Sequence, residues 1–494
     1  MFELDDISYH YATSCGHVPA LSGISLHIAR GEYVAVLGAN GSGKSTLALL
    51  LGGLILPRSG RFVVDGHVIE SRKDLTHVRG FSALVHQDPQ NAIVGGTVER
   101  DTAFGLECAT VDSESMRDRV SKTLTEFDLS TLADREPETL SGGQLSRLAL
   151  AGVAVLSRPV LVLDEPTSLL DPTGSAAVLD RLDSLHRSGT TVVHVTQYTK
   201  EAGRAGRVVV LQNGRVVADG APREVIRDRT SVSYPSLQNI KTDERSSIAR
   251  GDVLLCAENV SVIHDRGTPN ETTAVEDVSL SFHAGEVVAL IGPTGCGKTS
   301  LVCALSGLVV PVSGDVCVRD KPVEPGNISV AFQFPERAFS EETVGREVAL
   351  SLQRHRLSPE RKQQLVETAL ALVGFDSDIA DRETHALSGG QARRVGLACA
   401  LVDEPELIFL DEPDAALDPE GVGTVAQIIR DVRDNGSAVV VVTHDLDFAW
   451  SVADRMVAMA NGRVVADVSA ADRKRALEAL DLPVDLWPSV EVDQ

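Results

Sequence analysis

The sequence predicts an α/β chain made of two copies of one phosphate-handling domain, each built around a mostly parallel sheet. Three observations carry this. A block of 33 residues at 140–172 (LSGGQLSRLALAGVAVLSRPVLVLDEPTSLLDP) returns 247 positions later at 387–419, with 16 identities and no gap, and such self-similarity marks a repeat. A loop of the form G-x-x-x-x-G-K-[ST] stands between a strand signal and a helix signal in both halves. Each half also ends a short apolar run in adjacent carboxylates, Asp164-Glu165 and Asp411-Glu412, the strand edge where open α/β sheets hold ligands.

In the first half, Tyr33 to Leu37 reads as a strand. It runs into Gly38-Ala39-Asn40-Gly41-Ser42-Gly43-Lys44-Ser45 and a helical stretch from Thr46. The glycines let backbone N–H groups wrap phosphates, Lys44 is expected to reach the β- and γ-phosphates, and Ser45 to ligate Mg²⁺. Tyr11 either stacks on a base or packs in the core. Gln87 follows the apolar run Ala83 to Val85 and could ligate Mg²⁺ or orient water. Ser141-Gly142-Gly143-Gln144 opens a helix with a capping hydroxyl and two glycines that admit a ligand to the backbone. That helix is predicted to stop before Pro159, with a buried strand at Val160 to Leu163. Asp164 and Glu165 together suit a metal ion plus a water. Thr191 to Val195 is a further strand, ending in Thr196-Gln197-Tyr198. RVVVLQNGRVVADG reads as a hairpin turning at Asn213-Gly214 and as the last compact element of a domain at 1–222. The polar stretch 223–252 reads as a linker, whose roughly 30 residues reach on the order of 30 Å.

The second half, 253–476, repeats the order before a tail at 477–494. Its loop is Gly292-Pro293-Thr294-Gly295-Cys296-Gly297-Lys298-Thr299, followed by Ser300. Gln333, Ser388-Gly389-Gly390-Gln391, Asp411-Glu412 and Thr443-His444-Asp445 follow, and MVAMANGRVVAD closes the domain. His264 takes the place of Tyr11, as a weaker stacking group or a surface residue. Cys296 reads as a small spacer in the loop.

Composition narrows the function. A net charge of −24 over 494 residues opposes non-specific binding to nucleic acid or to an anionic membrane. No apolar run approaches a membrane span, and MFELDDISYH lacks the basic and apolar regions of a secretory leader. The seven cysteines have no metal-ligand spacing, which suits buried thiols in a reducing compartment.

Together these motifs resemble the ATP-binding cassette (ABC) ATPases across both halves. The resemblance implies, for each half, a P-loop NTPase core, an antiparallel β subdomain and a helical signature subdomain. It implies two cassettes packed head to tail, with ATP on one phosphate loop covered by the LSGGQ helix of the other. Site one would join Lys44, Ser45, Gln87, Asp164, Glu165 and Gln197 to Ser388-Gly389-Gly390-Gln391. Site two would join Lys298, Thr299, Gln333, Asp411, Glu412 and His444 to Ser141-Gly142-Gly143-Gln144. In this scheme Asp164 and Asp411 support Mg²⁺, Glu165 and Glu412 polarise the attacking water, and Asp171 and Asp418 link the sites.

QDPQNAIVGGTVERDTAFGLE and FQFPERAF resemble the segments of energy-coupling factor (ECF) importer ATPases that dock a membrane subunit. Gln90 stands where that family usually has an acidic residue, which Glu336 keeps in the second copy. The resemblance implies an integral-membrane coupling subunit, a substrate-binding membrane subunit and a peripheral place on the cytoplasmic face of the membrane. The cargo would be a vitamin, a vitamin precursor or a transition-metal ion. The alternatives are a fused sugar-importer ATPase, whose second cassette is usually altered, and a soluble tandem cassette acting on ribosomes, which needs a long basic linker. The copies differ at the switch position, Gln197 against His444. Because glutamine stays neutral where histidine can carry charge, site one is expected to hydrolyse slowly.

Overall fold

The computed structural model describes residues 1–13, 16–87, 92–140, 142–168, 170, 172–227, 251–268, 271–415, 417 and 419–480. The expectations at Gln90, Ser141, Asp171 and Asp418 fall outside those residues, as do most of the linker and of the tail. The chain divides into two compact units, Met1–Tyr234 and Pro235–Gln494.

In the first unit the strands are β1 (Phe2–Thr13), β2 (Gly16–Ile28), β3 (Tyr33–Leu37), β4 (Ser59–Val64), β5 (His67–Val68), β6 (Ser82–Val85), β7 (Val160–Asp164), β8 (Thr191–Thr196), β9 (Arg207–Gln212) and β10 (Arg215–Gly220). They form an antiparallel sheet, β2-β1-β4-β5, and a six-stranded sheet, β10-β9-β3-β8-β7-β6. The latter is parallel from β9 to β6, and only the β9–β10 hairpin runs antiparallel.

The sequence pattern of each sheet follows from what covers it. β1 alternates, with Phe2 and Leu4 buried and Glu3 and Asp5 exposed, as a sheet with one wet face requires. β3 is buried along its whole length. Its Tyr33, Ala35 and Leu37 join a cluster with Leu148 and Leu163. Its Val34 and Val36 join another with Leu47, Leu51 and Phe62. A parallel strand covered on both faces therefore reads as a continuous apolar run. Leu47, on the helix Lys44–Leu51, is fully buried and contributes about 2 kcal/mol by leaving water. That helix carries the lysine of the phosphate loop, so the core holds the loop's end in place.

The second unit repeats this with β11 (Val253–His264), β12 (Thr272–His283), β13 (Val287–Ile291), β14 (Ser313–Val318), β15 (Lys321–Pro322), β16 (Ser329–Ala331), β17 (Leu407–Asp411), β18 (Ala438–Val442), β19 (Arg455–Ala460) and β20 (Arg463–Ser469). Their orders are β12-β11-β14-β15 and β16-β17-β18-β13-β19-β20.

Two boundaries differ from expectation. The hairpin is not the last element of the first unit. A helix at Pro222–Arg227 follows it, and Val225 is buried with Val208 and Val210 of β9. One apolar pair, Val225-Ile226, among charged neighbours is too short a signal to read as a helix face. Likewise a helix at Arg473–Ala479 buries Ala476 and Leu477, so compact structure extends into the expected tail.

Candidate functional site

Four adjacent parallel strands deliver the candidate groups to one sheet edge. β3 leads into the phosphate loop, β8 ends just before Gln197, β7 ends in Asp164, and β6 ends two residues before Gln87. Leu37 pairs with Thr196 and Asp164 with Val195, so the groups stand side by side at the carboxyl ends of the strands. The second unit brings Lys298, His444, Asp411 and Gln333 together through β13, β18, β17 and β16.

Both loops need glycine for steric reasons. Gly43 and Gly297 have φ of 102° and 106°. A Cβ there would lie 2.4 Å from Ala20 O and 2.0 Å from Ala274 O, respectively. No L side chain fits such a position. Beyond these glycines the lysines are buried. Lys44 Nζ donates to Ala39 O at 3.0 Å and lies 3.4 Å from Glu165 Oε1. Lys298 Nζ donates to Gly292 O and Pro293 O at 2.8 and 2.9 Å.

The glutamates after β7 and β17 have an unusual backbone. Glu165 and Glu412 have φ of 48° and 50°, a region that bulky L residues avoid and that clusters at functional sites. Each is held there by its own N–H, which donates to Val195 O at 3.0 Å or to Val442 O at 2.8 Å. Gln87 Nε2 donates to Glu165 Oε2 at 3.1 Å, and Gln333 donates to Glu412. His444 Nδ1 is 3.3 Å from Glu412 Oε1. Burial works against protonation of His444, but the Glu412 carboxylate, with Asp414 and Asp445, outweighs it and raises the pKa to about 9. Gln197 is buried, and neither of its amide atoms has a partner among the described residues.

Tyr11 is not a core residue. It is 40% exposed, and its hydroxyl shares a 3.2 Å hydrogen bond with Thr46 Oγ1. His264 is exposed and meets Ser300 Oγ at 2.8 Å. Both rings therefore stand over the first turn after a phosphate loop. Ser388 caps the helix Gly389–Leu401 in a capping box with Gln391. A Cβ on Gly143 or Gly389 would meet nothing within 4 Å, and one on Gly390 only Leu417 Cδ2 at 3.9 Å. These glycines are not required by packing within their own units. A cleft lined by Phe332, Gln333, Arg393, Asp411 and Glu412 opens beside the second carboxylate pair.

A family profile described as ABC transporter matches residues 21–168 and 275–415, more than half of the chain. The chain belongs to the ABC transporter family. An ABC transporter ATP-binding protein of Methanosarcina acetivorans is 31% identical over 95% of this chain and 86% of its own length. One of Bifidobacterium longum is 30% identical over 92% of this chain, which spans 64% of that longer relative. A solved structure described as ribosome-bound archaeal Pelota and ABCE1 covers 96% of this chain and 80% of its own, with 22% identity and a TM-score of 0.69; it shares the fold.

This ABC protein is an ATPase, with ATP and Mg²⁺ as its ligands. Its residues fit the ion. Thr299 Oγ1 donates to Asp411 Oδ2 at 2.8 Å. Burial pushes Asp411 up to about 6, against that hydrogen bond, and raises Asp164, against Ser45 and Lys44. Asp164 Oδ1 is buried without a hydrogen-bond partner among the described residues. A divalent cation relieves this kind of desolvated carboxylate. When bound there, Mg²⁺ supplies charge neutralisation at the phosphate oxygens.

Sequence reasoning missed the left-handed glutamates and the different cation beside each. It also missed the carboxyl partners of Thr196 and Thr443, the threonines before Gln197 and His444. Aligning the halves at the 247-residue offset could have flagged the last of these, because the acidic positions around them trade places.

Proposed function

We propose that this tandem ABC ATPase energises an ECF-type importer from the cytoplasmic face of the membrane, each cassette's signature helix closing the other's ATP site. The signature glycines carry the pairing. A helix glycine is about 1 kcal/mol worse than alanine, and Gly143 and Gly389 have open space where a side chain would stand. A γ-phosphate brought from the partner cassette explains why they stay bare. Lys44 and Lys298 would hold the β- and γ-phosphates. Glu165 and Glu412 would orient water in line with the bond from the γ-phosphorus to the bridging oxygen, which leaves with ADP. ATP would draw the cassettes together, and hydrolysis would release them.

Exposed apolar side chains support a membrane partner. Val94 and Phe104 are 62% and 41% exposed in the first unit, as are Phe332 and Leu350 at 38% in the second. Glu336, directly after Pro335 in the chain, is exposed. Exposed apolar side chains suit a docking surface, and Val94, Phe104 and Phe332 fall in the two segments that resemble ECF docking segments. Among the described residues no helix is long and apolar enough to cross a membrane, and this reading assigns transport to separate integral-membrane subunits. The test is to purify the tagged full chain from detergent-solubilised membranes of its own cells. A small hydrophobic membrane subunit and a substrate-binding subunit are expected to follow it. Recovery of ribosomes, or of the chain by itself, overturns the importer reading.

A further inference from the structure

We infer that Glu201 in the first cassette and Asp414 in the second are positioning residues for the switch side chains Gln197 and His444, each acting through the threonine before the switch. Thr196 Oγ1 donates to Glu201 Oε2 at 2.6 Å and accepts the N–H of Tyr198 at 3.1 Å. Thr443 Oγ1 donates to Asp414 Oδ2 at 2.9 Å and accepts the N–H of Asp445 at 3.0 Å. Each hydroxyl thus ties together the residues on both sides of the switch. A hydroxyl has one proton. The carboxyl group accepts the hydrogen bond that this proton makes, which leaves the oxygen lone pairs to accept the amide N–H.

The two cassettes reach this arrangement from different elements. At the 247-residue offset, Thr167 of the first corresponds to Asp414, and Glu201 to Phe448. In the first cassette the acid comes from the helix after the switch, Thr199–Ala202, and Thr167 adds a second hydrogen bond to it at 2.6 Å. In the second the acid comes from the segment after β17, and Phe448, fully buried, fills the helix position. Burying a carboxyl group opposes stability unless it is well partnered. Supplying one twice, by different routes, to the same hydroxyl indicates a task beyond packing. Charge is secondary at Glu201: the Thr167 and Thr196 hydrogen bonds favour its carboxylate more than the Arg204 guanidinium does, and Arg204 makes its ion pairs with Asp180 and Asp183. His194 Nε2 is 3.5 Å from Glu201 Oε2, but burial lowers the histidine pKa to about 4, so it is neutral near pH 7.

The inference rests on the reading that Gln197 and His444 face the γ-phosphate. The test uses the full chain and three variants: Asp414→Thr, Phe448→Glu and the double exchange Asp414→Thr/Phe448→Glu. Steady-state ATPase kinetics and thermal melting are measured for each. Either single exchange is expected to lower kcat about tenfold with little change in KM for ATP. The double exchange, which moves the acid to the element used by the first cassette, is expected to restore kcat to within about twofold. A folded double variant no faster than the singles overturns the inference, as does a double variant that does not fold. His444→Ala separates the underlying reading: an unchanged kcat there removes the role of the switch itself, whereas failed rescue removes only that of the acid.

Discussion

His444 Nδ1 lies 3.3 Å from Glu412 Oε1, while the corresponding Glu165 meets the phosphate-loop lysine, Lys44, at 3.4 Å. The two glutamates proposed to orient water are therefore held by different cations. In the second cassette the lysine stays on loop carbonyls, and a histidine that can carry charge supports the glutamate. In the first, the glutamate engages the ammonium group expected to bind phosphate, and the switch residue is neutral. Site two is accordingly expected to carry most of the turnover. Glu412→Gln should lower steady-state ATPase activity by about tenfold or more, and Glu165→Gln by clearly less. Equal losses would sink the asymmetry.

The switch residue itself should be exchangeable with graded effect. A charge-assisted hydrogen bond is worth roughly 1.5–3 kcal/mol, about ten- to a hundredfold in rate. His444→Gln should slow turnover by that order in single-turnover ATP hydrolysis. Gln197→His should raise the rate of the first site. A Gln197→His chain no faster than wild type would show that charge at this position is not what limits site one.

The proton on His444 gives a pH signature. Its folded pKa, about 9, lies above the ordinary value near 6.5. The associated stability is therefore fully present below about pH 6.5 and is lost as pH rises through about 9. The melting temperature of the wild type should exceed that of His444→Gln at pH 6, and the gap should close by about pH 9–10. A gap independent of pH contradicts the charged pair.

Glycines in the two motifs should respond in opposite ways. Gly43→Ala places a Cβ against Ala20 O at a φ of 102°. It should destabilise the first unit by about 2 kcal/mol or more and weaken ATP binding. Gly389→Ala meets open space and should leave stability unchanged or raise it by up to about 1 kcal/mol, while turnover falls. Calorimetric melting beside ATPase assays reads both. A Gly389→Ala chain with full turnover would remove the proposed role of the bare helix start.

What the sequence determined by itself was the chemistry that lies within a few residues. The phosphate loops, the Asp-Glu pairs at strand ends, the Asn213-Gly214 turn and the Ser388 cap each depend on local backbone geometry, and their residue types announce them. The parallel sheet was legible because strands buried on both faces must be apolar throughout. The helix at Pro222–Arg227 was not, because its burial depends on the sheet it packs against. Tertiary structure alone decided which cation stands beside each glutamate and which acid orients each threonine. Lys44 is 121 positions from Glu165, and Asp414 is 29 from Thr443. Only the order of strands in the sheet makes them neighbours, and only distances of a few ångströms decide which of several charged groups becomes the partner.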